Sequence, residues 1–476
     1  MTNENILSKR YVTPSINKIF SEAGKTLAER ELWIAVLKAQ KSLNLQGITE
    51  EIILKYETGK NDLNLTRINE IEKVTKHDIK AKIQGFNEAS NIQGSEEQIH
   101  RGLTSRDLTD NVEQYQILKA SKIIMQKHTS ILNILLELAE KYKDTYVVGR
   151  THHQPAQVTT FGKRLSIIAE ELLYHIKGFD FFLENYPLRG IKGPVGTQTD
   201  MLSLLGEGSK VNELEHQIAQ HLGFKKILNS TSQIYPRSLD LDLISRLAGL
   251  SAASENLANI IRLMAGYNHL TEGFKKGQVG STAMPHKQNA IKSERINGFG
   301  NVLKGYLAMA STQAGNQWEE GDVSCSVIRR VYLPDCFYTI DGQSETVLTV
   351  LNGIGLFPKV IENEVSKWLP FLASTKFLTL LTDKGVGREE AHKLIKDYAI
   401  EEALSMREGN ENELLEKLSE NQILKEKGIS LKELEDLMAN KEVLIGLSHK
   451  QILNVKNNAE PYLVKYGRDY QVGSIL

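Results

Sequence analysis

Several features that would place this chain in a special class are scarce in its sequence. It has two cysteines, Cys325 and Cys336, which are too few for a disulfide framework and lack the spacing of a metal site. No stretch reaches the roughly 18 uninterrupted apolar residues of a membrane span. Residues 1–10 are polar, without the apolar core of a signal peptide. We therefore expect a soluble, cytoplasmic protein that needs no metal or organic cofactor.

An excess of charge of one sign is also missing. The 476 residues include 58 basic and 59 acidic side chains, for a formal net charge of −1. A general nucleic-acid binder would show a basic excess or a basic stripe. The balance therefore argues against nucleic acid and membrane partners. It remains compatible with an anionic small molecule, which needs only a local cluster of cations.

Proline is the third scarce residue, with ten in the chain. None occurs between Pro14 and Pro155, or between Pro236 and Pro285. Proline interrupts helices, and alternating strand patterns are nearly absent, so these long gaps favour long helices. The sequence predicts an almost entirely α-helical protein.

Apolar residues recur at spacings of three and four over residues 117–138 and 243–264. Such seams pack against neighbouring helices at shallow angles, as in bundles. His128 and Ser254 lie on these seams and are interpreted as buried polar groups of the core. The pattern predicts three further helices, at residues 161–184, 289–314 and 334–351.

The chain is too long for one core. Shorter helices and charged loops flank the predicted bundle, so we expect three domains, at residues 1–111, 112–364 and 365–476. Helices of roughly 40 Å or more, at about 1.5 Å per residue, cannot be covered easily by one subunit. Burial against identical subunits would cover the remaining faces, and symmetric assembly is the usual solution.

The most informative stretch runs from residue 280 to residue 289, after Gly273 and Gly277. It places the Ser281 hydroxyl, the Lys287 cation and the Asn289 amide within nine residues. Glycines let the backbone approach a ligand closely, and these groups suit an anionic substrate that loses a proton. From composition alone, a basic loop between helices is the favoured interpretation of this stretch.

Three other segments contain polar groups that could have either a functional or a structural role. Residues 149–157 contain His152 and His153, but a histidine pair in a loop is often structural. Residues 102–110 place two hydroxyls at a helix start, where they could bind a carboxylate or form a capping box. In residues 76–78 an aspartate follows a histidine and could raise its basicity, although neighbours on a helix point in different directions.

Together, these four segments resemble the motifs of the fumarase/aspartase superfamily, in the same order along the chain. The 280–289 stretch is similar to its signature loop, and is most similar to the form found in the adenylosuccinate lyase family. Two departures are Ala290, where the family usually has proline, and Gln288, where arginine is frequent. The loss of proline could loosen the exit from the loop into the next helix. The last hundred or so residues resemble the family only in being helical.

The resemblance implies an all-α, three-domain fumarase/aspartase-like fold with a central long-helix bundle. It also implies Ser281 as general base, His152 as general acid, and Lys287 with Asn289 on the carboxylate. Glu294 is expected to support the histidine, and His77 to contact substrate near its phosphate or the scissile bond. The remaining substrate-binding residues implied are Arg10, Tyr11, Lys76, Asp78, Thr104, Ser105, Gln233, Thr282, Arg295, Ser326, Arg329 and Arg330.

The implied reaction is β-elimination of fumarate from adenylosuccinate, giving AMP, and from SAICAR, giving AICAR. The superfamily builds its site where three subunits of a homotetramer meet. Argininosuccinate lyase, fumarase and aspartase are competing interpretations, although the paired arginines at 329 and 330 favour a phosphate-bearing substrate. A helical structural protein without activity is another alternative, because fold does not imply function.

Overall fold

The computed structural model describes residues 5–273, 284 and 286–473. These residues form an α-helical protein with three short two-stranded pairings. None of the helices described is long and apolar enough to cross a membrane. The chain opens with six helices, α1 (Ile6–Arg10), α2 (Pro14–Phe20), α3 (Glu22–Ser42), α4 (Glu50–Gly59), α5 (Leu65–Thr75) and α6 (Asp78–Ala89), followed by a 3₁₀ turn at Gly94–Glu96.

Long helices dominate the middle of the chain, as the apolar seams predict. They are α7 (Ser105–Lys141), α8 (Phe161–Asn185), the shorter α9 (Thr199–Leu205) and α10 (Gly208–Leu222), then α11 (Ser238–Gly266), α12 (Ile291–Ser311) and α13 (Ser324–Gly353). Helices α7, α8, α11, α12 and α13 pack side by side and bury the seam residues in one large core. The 37 residues of α7 span about 55 Å at about 1.5 Å per residue.

The predicted start of the fifth bundle helix at Pro334 is wrong. Helix α13 begins at Ser324 and contains Pro334 in its interior. Proline usually marks a first turn because it lacks an amide hydrogen. The second half of α13 is buried almost completely. Tertiary packing therefore stabilises the helix on both sides of Pro334.

Six short strands were not expected from the sequence: β1 (Tyr146–Thr151), β2 (Gln154–Thr160), β3 (Pro187–Leu188), β4 (Lys226–Ile227), β5 (Leu270–Thr271) and β6 (Gly355–Leu356). Strands β1 and β2 form an antiparallel hairpin between α7 and α8. Strands β3 and β4 pair in parallel, and β5 pairs with β6 in antiparallel fashion. The side chain of Thr160 accepts a bond from the Lys163 amide and caps α8, as its hydroxyl predicts.

The C-terminal part holds α14 (Pro358–Leu372), α15 (Ser374–Asp383), α16 (Arg388–Arg407), α17 (Leu414–Glu420), α18 (Gln422–Glu426), α19 (Leu431–Ala439), α20 (Lys441–Ile445) and α21 (Ser448–Tyr466). A separate apolar core joins residues from Ala373 to Leu434, while α21 returns to pack against α7 and α8. The expected boundaries at 111 and 364 both fall inside helices, α7 and α14. The three-domain division therefore stays a proposal.

A buried charge cluster lies at the centre of the bundle. The ammonium of Lys127 pairs with the carboxylates of Asp341 and Glu345, and all three side chains are fully buried. Burial alone would lower the pKa of Lys127, but the two carboxylates outweigh it and raise that pKa. Backbone amides from near both ends of the sequence also donate to this cluster. The Thr13 amide donates to Asp341 (2.7 Å), and the Gly473 amide donates to Glu345 (2.7 Å).

Candidate active site

The β1–β2 hairpin presents His152 at its tip. Thr151 pairs with Gln154, so His152 and His153 alone form the turn. Both have positive φ, 50° and 62°, the geometry of a turn that ordinarily takes Asn-Gly. Histidine adopts positive φ more readily than most residues, yet such backbone costs energy and concentrates at functional sites. The histidine pair expected in a loop is thus held in a strained hairpin turn with an exposed His152 ring.

The signature stretch is described only in part. Ser281 and Thr282 lie outside the described residues. Lys287 is exposed, with its amide bonded to the Met284 carbonyl (3.0 Å). Asn289 is half-buried and lines a cleft of about 730 Å³ together with Glu294 and the last turns of α11.

Glu272 joins the two ends of this stretch and was missed in the sequence. Its buried carboxylate accepts the amides of Lys292 and Ser293, each at 2.9 Å, in the first turn of α12. The Lys292 ammonium donates to the Gly273 carbonyl at 3.0 Å. Ala290 precedes α12 without a side-chain cap. Glu272 supplies the cap instead, so the helix start is held despite the missing proline.

The start of α7 gathers a second group of expected site residues. Thr104 precedes the helix, its amide donates to Asp107 (2.8 Å), and Ser105 is the first helical residue. Arg106 donates to the Ser326 hydroxyl at 2.8 Å, which places the start of α13 beside the start of α7. The backbone N–H of Gln233 donates to the backbone carbonyl of Glu320, just before α13. Gln233 therefore also lies at this end of the bundle.

Asp107 holds the α7 start in place. It pairs with the fully buried Arg189 and accepts the amides of Lys192 and Gly193 (2.9 and 3.0 Å). The capping-box interpretation of this segment is therefore correct for Asp107. It does not compete with carboxylate binding, because Thr104 and Ser105 are half-exposed.

The two paired arginines differ in environment. Arg329 is buried, and its guanidinium contacts Asp240 (2.7 Å), Glu113 (2.6 Å) and the Tyr235 hydroxyl. Burial would raise the pKa of Glu113, but nearby Arg329 and other cations lower it to about 2. Arg330 is exposed beside a cavity of about 150 Å³. The expectation that both arginines offer free forks to a phosphate therefore fits Arg330 and does not fit Arg329.

The Lys76–Asp78 triplet sits at a helix start. Lys76 has φ 56°, and His77 caps α6 by accepting the Lys80 amide on Nδ1 at 3.3 Å. A neutral ring in this arrangement carries its proton on Nε2. Asp78 lies 3.7 Å from Nδ1. All three side chains are exposed, so the Nε2 edge of His77 is open to a ligand.

Arg10 and Tyr11 meet the helix that follows the signature stretch. The Arg295 guanidinium lies 5.9 Å from the centre of the Tyr11 ring, and that of Arg10 lies 5.8 Å from it. The Tyr11 ring packs edge-on against Phe299 at 5.1 Å. The N-terminal Arg-Tyr pair and Arg295 therefore form one cationic and aromatic group.

The expected site residues occupy distant parts of one chain. Ser105 begins α7, while the hairpin that carries His152 starts five residues after the helix ends at Lys141. The two ends of this helix lie about 50 Å apart at about 1.5 Å per residue. The hairpin lies at the Lys141 end, because His153 contacts Tyr267 at the end of α11, whereas Arg237 at the start of α11 contacts Asp110 near the start of α7. A single chain cannot bring its own Thr104, Ser105 and His152 to one ligand.

Comparison with known proteins assigns these features to a family. A family model described as "Lyase" matches residues 13–305, and one described as "Adenylosuccinate lyase C-terminus" matches residues 370–455. The second match lies within the last hundred or so residues, where the sequence motifs had indicated only a helical structure. The chain is 33% identical to adenylosuccinate lyase of Saccharomyces cerevisiae over 475 residues, covering 98% of this chain and 97% of that protein.

Other relatives extend the similarity. Adenylosuccinate lyase of Bacillus subtilis is 30% identical over 395 residues, covering 83% of this chain and 88% of that protein. The 3-carboxy-cis,cis-muconate lactonizing enzyme of Pseudomonas putida aligns with TM-score 0.80 and 17% identity, over 96% of this chain and 100% of that one. A fumarate lyase of Mesorhizobium sp. BNC1 aligns with TM-score 0.78 and 17% identity, over 96% and 99%. At such identity these structures establish the shared fold.

Proposed function

Since this chain belongs to the adenylosuccinate lyase family, we propose that it releases fumarate from adenylosuccinate, giving AMP, and from SAICAR, giving AICAR. The observation that carries the proposal is the near full-length match to adenylosuccinate lyases. The C-terminal family match supports these substrates over those of other lyases with the same fold.

In the proposed mechanism, Ser281 removes a proton from the carbon next to a succinyl carboxylate. The resulting charge spreads into that carboxylate, where Lys287 and Asn289 stabilise it. The C–N bond then breaks, and His152 gives a proton to the leaving nitrogen. A serine hydroxyl is a weak base, so this role requires a positive environment such as Lys287 supplies. Thr104 and Ser105 hold the other carboxylate.

The nucleotide part is assigned to cationic and polar groups. We assign the phosphate to Arg330 and Ser326, with the open Nε2 edge of His77 and its neighbour Lys76. Arg329 then acts by holding α13 against Glu113 and Asp240, since its guanidinium already has carboxylate partners. The groups left for the remaining substrate contacts are Arg10, Tyr11, Asp78, Gln233, Thr282 and Arg295, with Glu294 supporting a histidine.

A homotetramer with shared sites belongs to the proposal. The separation of about 50 Å along α7 supports it, because a complete site then needs the hairpin of another chain. An exposed apolar stripe supplies a surface for such packing. Ile167, Tyr174 and Phe181 repeat every seven residues along α8 and are 53%, 73% and 63% exposed. A cytoplasmic location is also proposed, in keeping with two free, buried cysteines.

The proposal is tested by following ultraviolet absorbance after separate additions of adenylosuccinate, argininosuccinate and malate. We expect turnover of adenylosuccinate alone, and turnover of argininosuccinate or malate instead would contradict the assignment. Ser281→Ala and His152→Ala should each lower turnover by several orders of magnitude while substrate still binds. A variant with near-normal turnover would remove that residue from its role.

A further inference from the structure

We propose that Glu364 and Tyr267 are positioning residues that hold the hairpin turn carrying His152. The inference rests on the proposed function, in which His152 gives a proton to the leaving nitrogen. Neither residue belongs to a motif that pointed to the site. Both contact the turn through Arg150 or His153, and neither needs to touch substrate.

The turn requires external support. His152 and His153 both have positive φ, and no glycine or asparagine relieves the strain. Such a backbone conformation costs energy in a residue other than glycine and persists only where surrounding contacts impose it. The register also shifts between Gly149 and Arg150, which leaves Ala156 as an extra residue on β2 and bends that strand just after the turn. Bulges of this kind re-aim nearby side chains, so the direction of His152 depends on what fixes Arg150 and His153.

Glu364 is the first support, and it acts through Arg150. The Arg150 guanidinium donates to the His153 carbonyl at 3.3 Å and pairs with Glu364 on α14. Side-chain exposure of the pair is only 18% and 15%, so solvent screens their attraction weakly. The second Glu364 oxygen lies 3.3 Å from Nε2 of His269. Both carboxylate oxygens are therefore occupied, and Glu364 links the turn to helix α14.

Tyr267, just beyond the end of α11, is the second support. Its hydroxyl lies 2.7 Å from Nε2 of His153. The Arg150 guanidinium lies 4.7 Å from the centre of the same ring, within the range of a cation–π contact. The ring also stacks on His269 with centroids 5.5 Å apart. One side chain thus contacts Arg150, His153 and His269 together.

The two supports fix the backbone on both sides of His152 and leave its ring exposed. That arrangement suits a proton donor which must reach a ligand held by another chain. A misplacement of about 1 Å can lower turnover by roughly a hundredfold. Loss of either support should therefore lower the rate of the chemical step and leave substrate binding nearly intact.

The test uses Glu364→Gln, which keeps the side-chain volume and removes the charge. We expect kcat to fall roughly ten- to a hundredfold, with KM within about twofold of the parent. Amide hydrogen exchange of residues 150–153 should become faster. An unchanged kcat together with unchanged exchange would overturn the proposal. The exchange measurement stands apart from turnover, so it can fail or succeed whether or not adenylosuccinate is the substrate.

Tyr267→Phe provides a second variant that removes only the hydroxyl. It keeps the ring contacts with Arg150 and His269, so folding should be preserved. We expect kcat to fall about three- to tenfold, the value of one hydrogen bond of roughly 1 kcal/mol. Normal kcat and normal hairpin exchange in this variant would count against the Tyr267 assignment, even if Glu364→Gln failed to fold.

Glu402→Gln is the matched control. Glu402 is a buried carboxylate that pairs with Lys417 at 2.8 Å and accepts the Glu413 amide, and neither partner belongs to the hairpin. Its loss should lower the Tm and leave kcat and hairpin exchange unchanged. Equal losses of kcat in both glutamine variants would show a general stability effect and overturn the proposal.

A double-mutant cycle separates positioning from an independent effect. If Glu364 acts through His152, Glu364→Gln should lower kcat no further in a His152→Ala background. A further drop in kcat by the same factor would show that Glu364 does not act through His152. The role of His152 is tested separately by His152→Ala.

Discussion

His128 illustrates how one buried side chain links stability to pH. Its ring is fully buried in α7, and Nδ1 donates to the Ile124 carbonyl at 2.8 Å. Burial lowers its pKa to about 4. The folded state thus favours the neutral ring, while the unfolded chain protonates near its ordinary value of about 6.5. Stability from this group is complete above that value and is lost as pH falls toward 4.

We predict that this histidine alone makes the free energy of unfolding smaller by about 2 kcal/mol at pH 5 than at pH 7. His128→Gln, which does not titrate, should remove that part of the pH dependence. Urea unfolding at the two pH values measures it. An identical pH dependence in parent and variant would contradict a buried neutral His128.

The residue scale also shows what sequence motifs could not predict. Arg329 and Arg330 are neighbours in a motif that matches a phosphate-binding segment. Only the fold shows that Arg329 meets Glu113, 216 residues away in sequence, and that Arg330 faces solvent. The sequence shows that arginines stand at this position. It could not predict which of them is available for a phosphate, because that depends on carboxylates distant in sequence.

At the scale of elements, Glu272 connects the strand before the signature stretch to the helix after it. We predict that Glu272→Gln lowers the free energy of unfolding by about 2 kcal/mol, because its amide group cannot accept both helix N–H donors. Turnover should fall as well, since Lys287 and Asn289 lie between the joined ends. Chemical denaturation and steady-state kinetics measure the two effects.

Ser293→Ala is the companion variant, because it removes only the hydroxyl bond to Glu272. It should cost about 1 kcal/mol and leave turnover nearly unchanged. A larger loss of turnover in Ser293→Ala than in Glu272→Gln would rule out the carboxylate as the main link.

Periodicity predicted the long helices because their apolar seams repeat within each element. The β1–β2 hairpin escaped prediction because its turn holds two histidines in place of Asn-Gly, and Pro155 stands inside β2 where proline argues against a strand. Pro334 misled the prediction of α13 for a related reason. Burial of the rest of that helix is tertiary information, which overrides the local preference.

For the whole molecule, the distance along α7 predicts complementation between inactive variants. Ser281→Ala and His152→Ala are expected to be inactive separately. If sites are shared between subunits as proposed, mixed oligomers formed by co-expression should regain part of the activity, because some sites draw both intact residues from different chains. No recovery of activity in verified mixed oligomers would contradict shared sites.

The overall fold class was predictable from scarce proline and helical seams, and the superfamily resemblance supplied its architecture. The course of the final helix was not. Helix α21 leaves the C-terminal apolar core and packs on α7 and α8, a contact between residues far apart in sequence. Its amphipathic pattern shows that one face is buried and carries no information about the partner.

The buried ammonium of Lys127 ties the beginning of the polypeptide to its end. Asp341 and Glu345 stand one helical turn apart on α13, and each holds a backbone amide from an opposite terminus. Thr13 lies two residues beyond Tyr11, so movement of the segment around Gly473 would be transmitted through Glu345 and Asp341 to the Arg10–Tyr11 pair that we propose to contact the nucleotide. A deletion that begins at Gly473 would therefore remove one of the two backbone donors to these carboxylates and loosen the segment around Thr13.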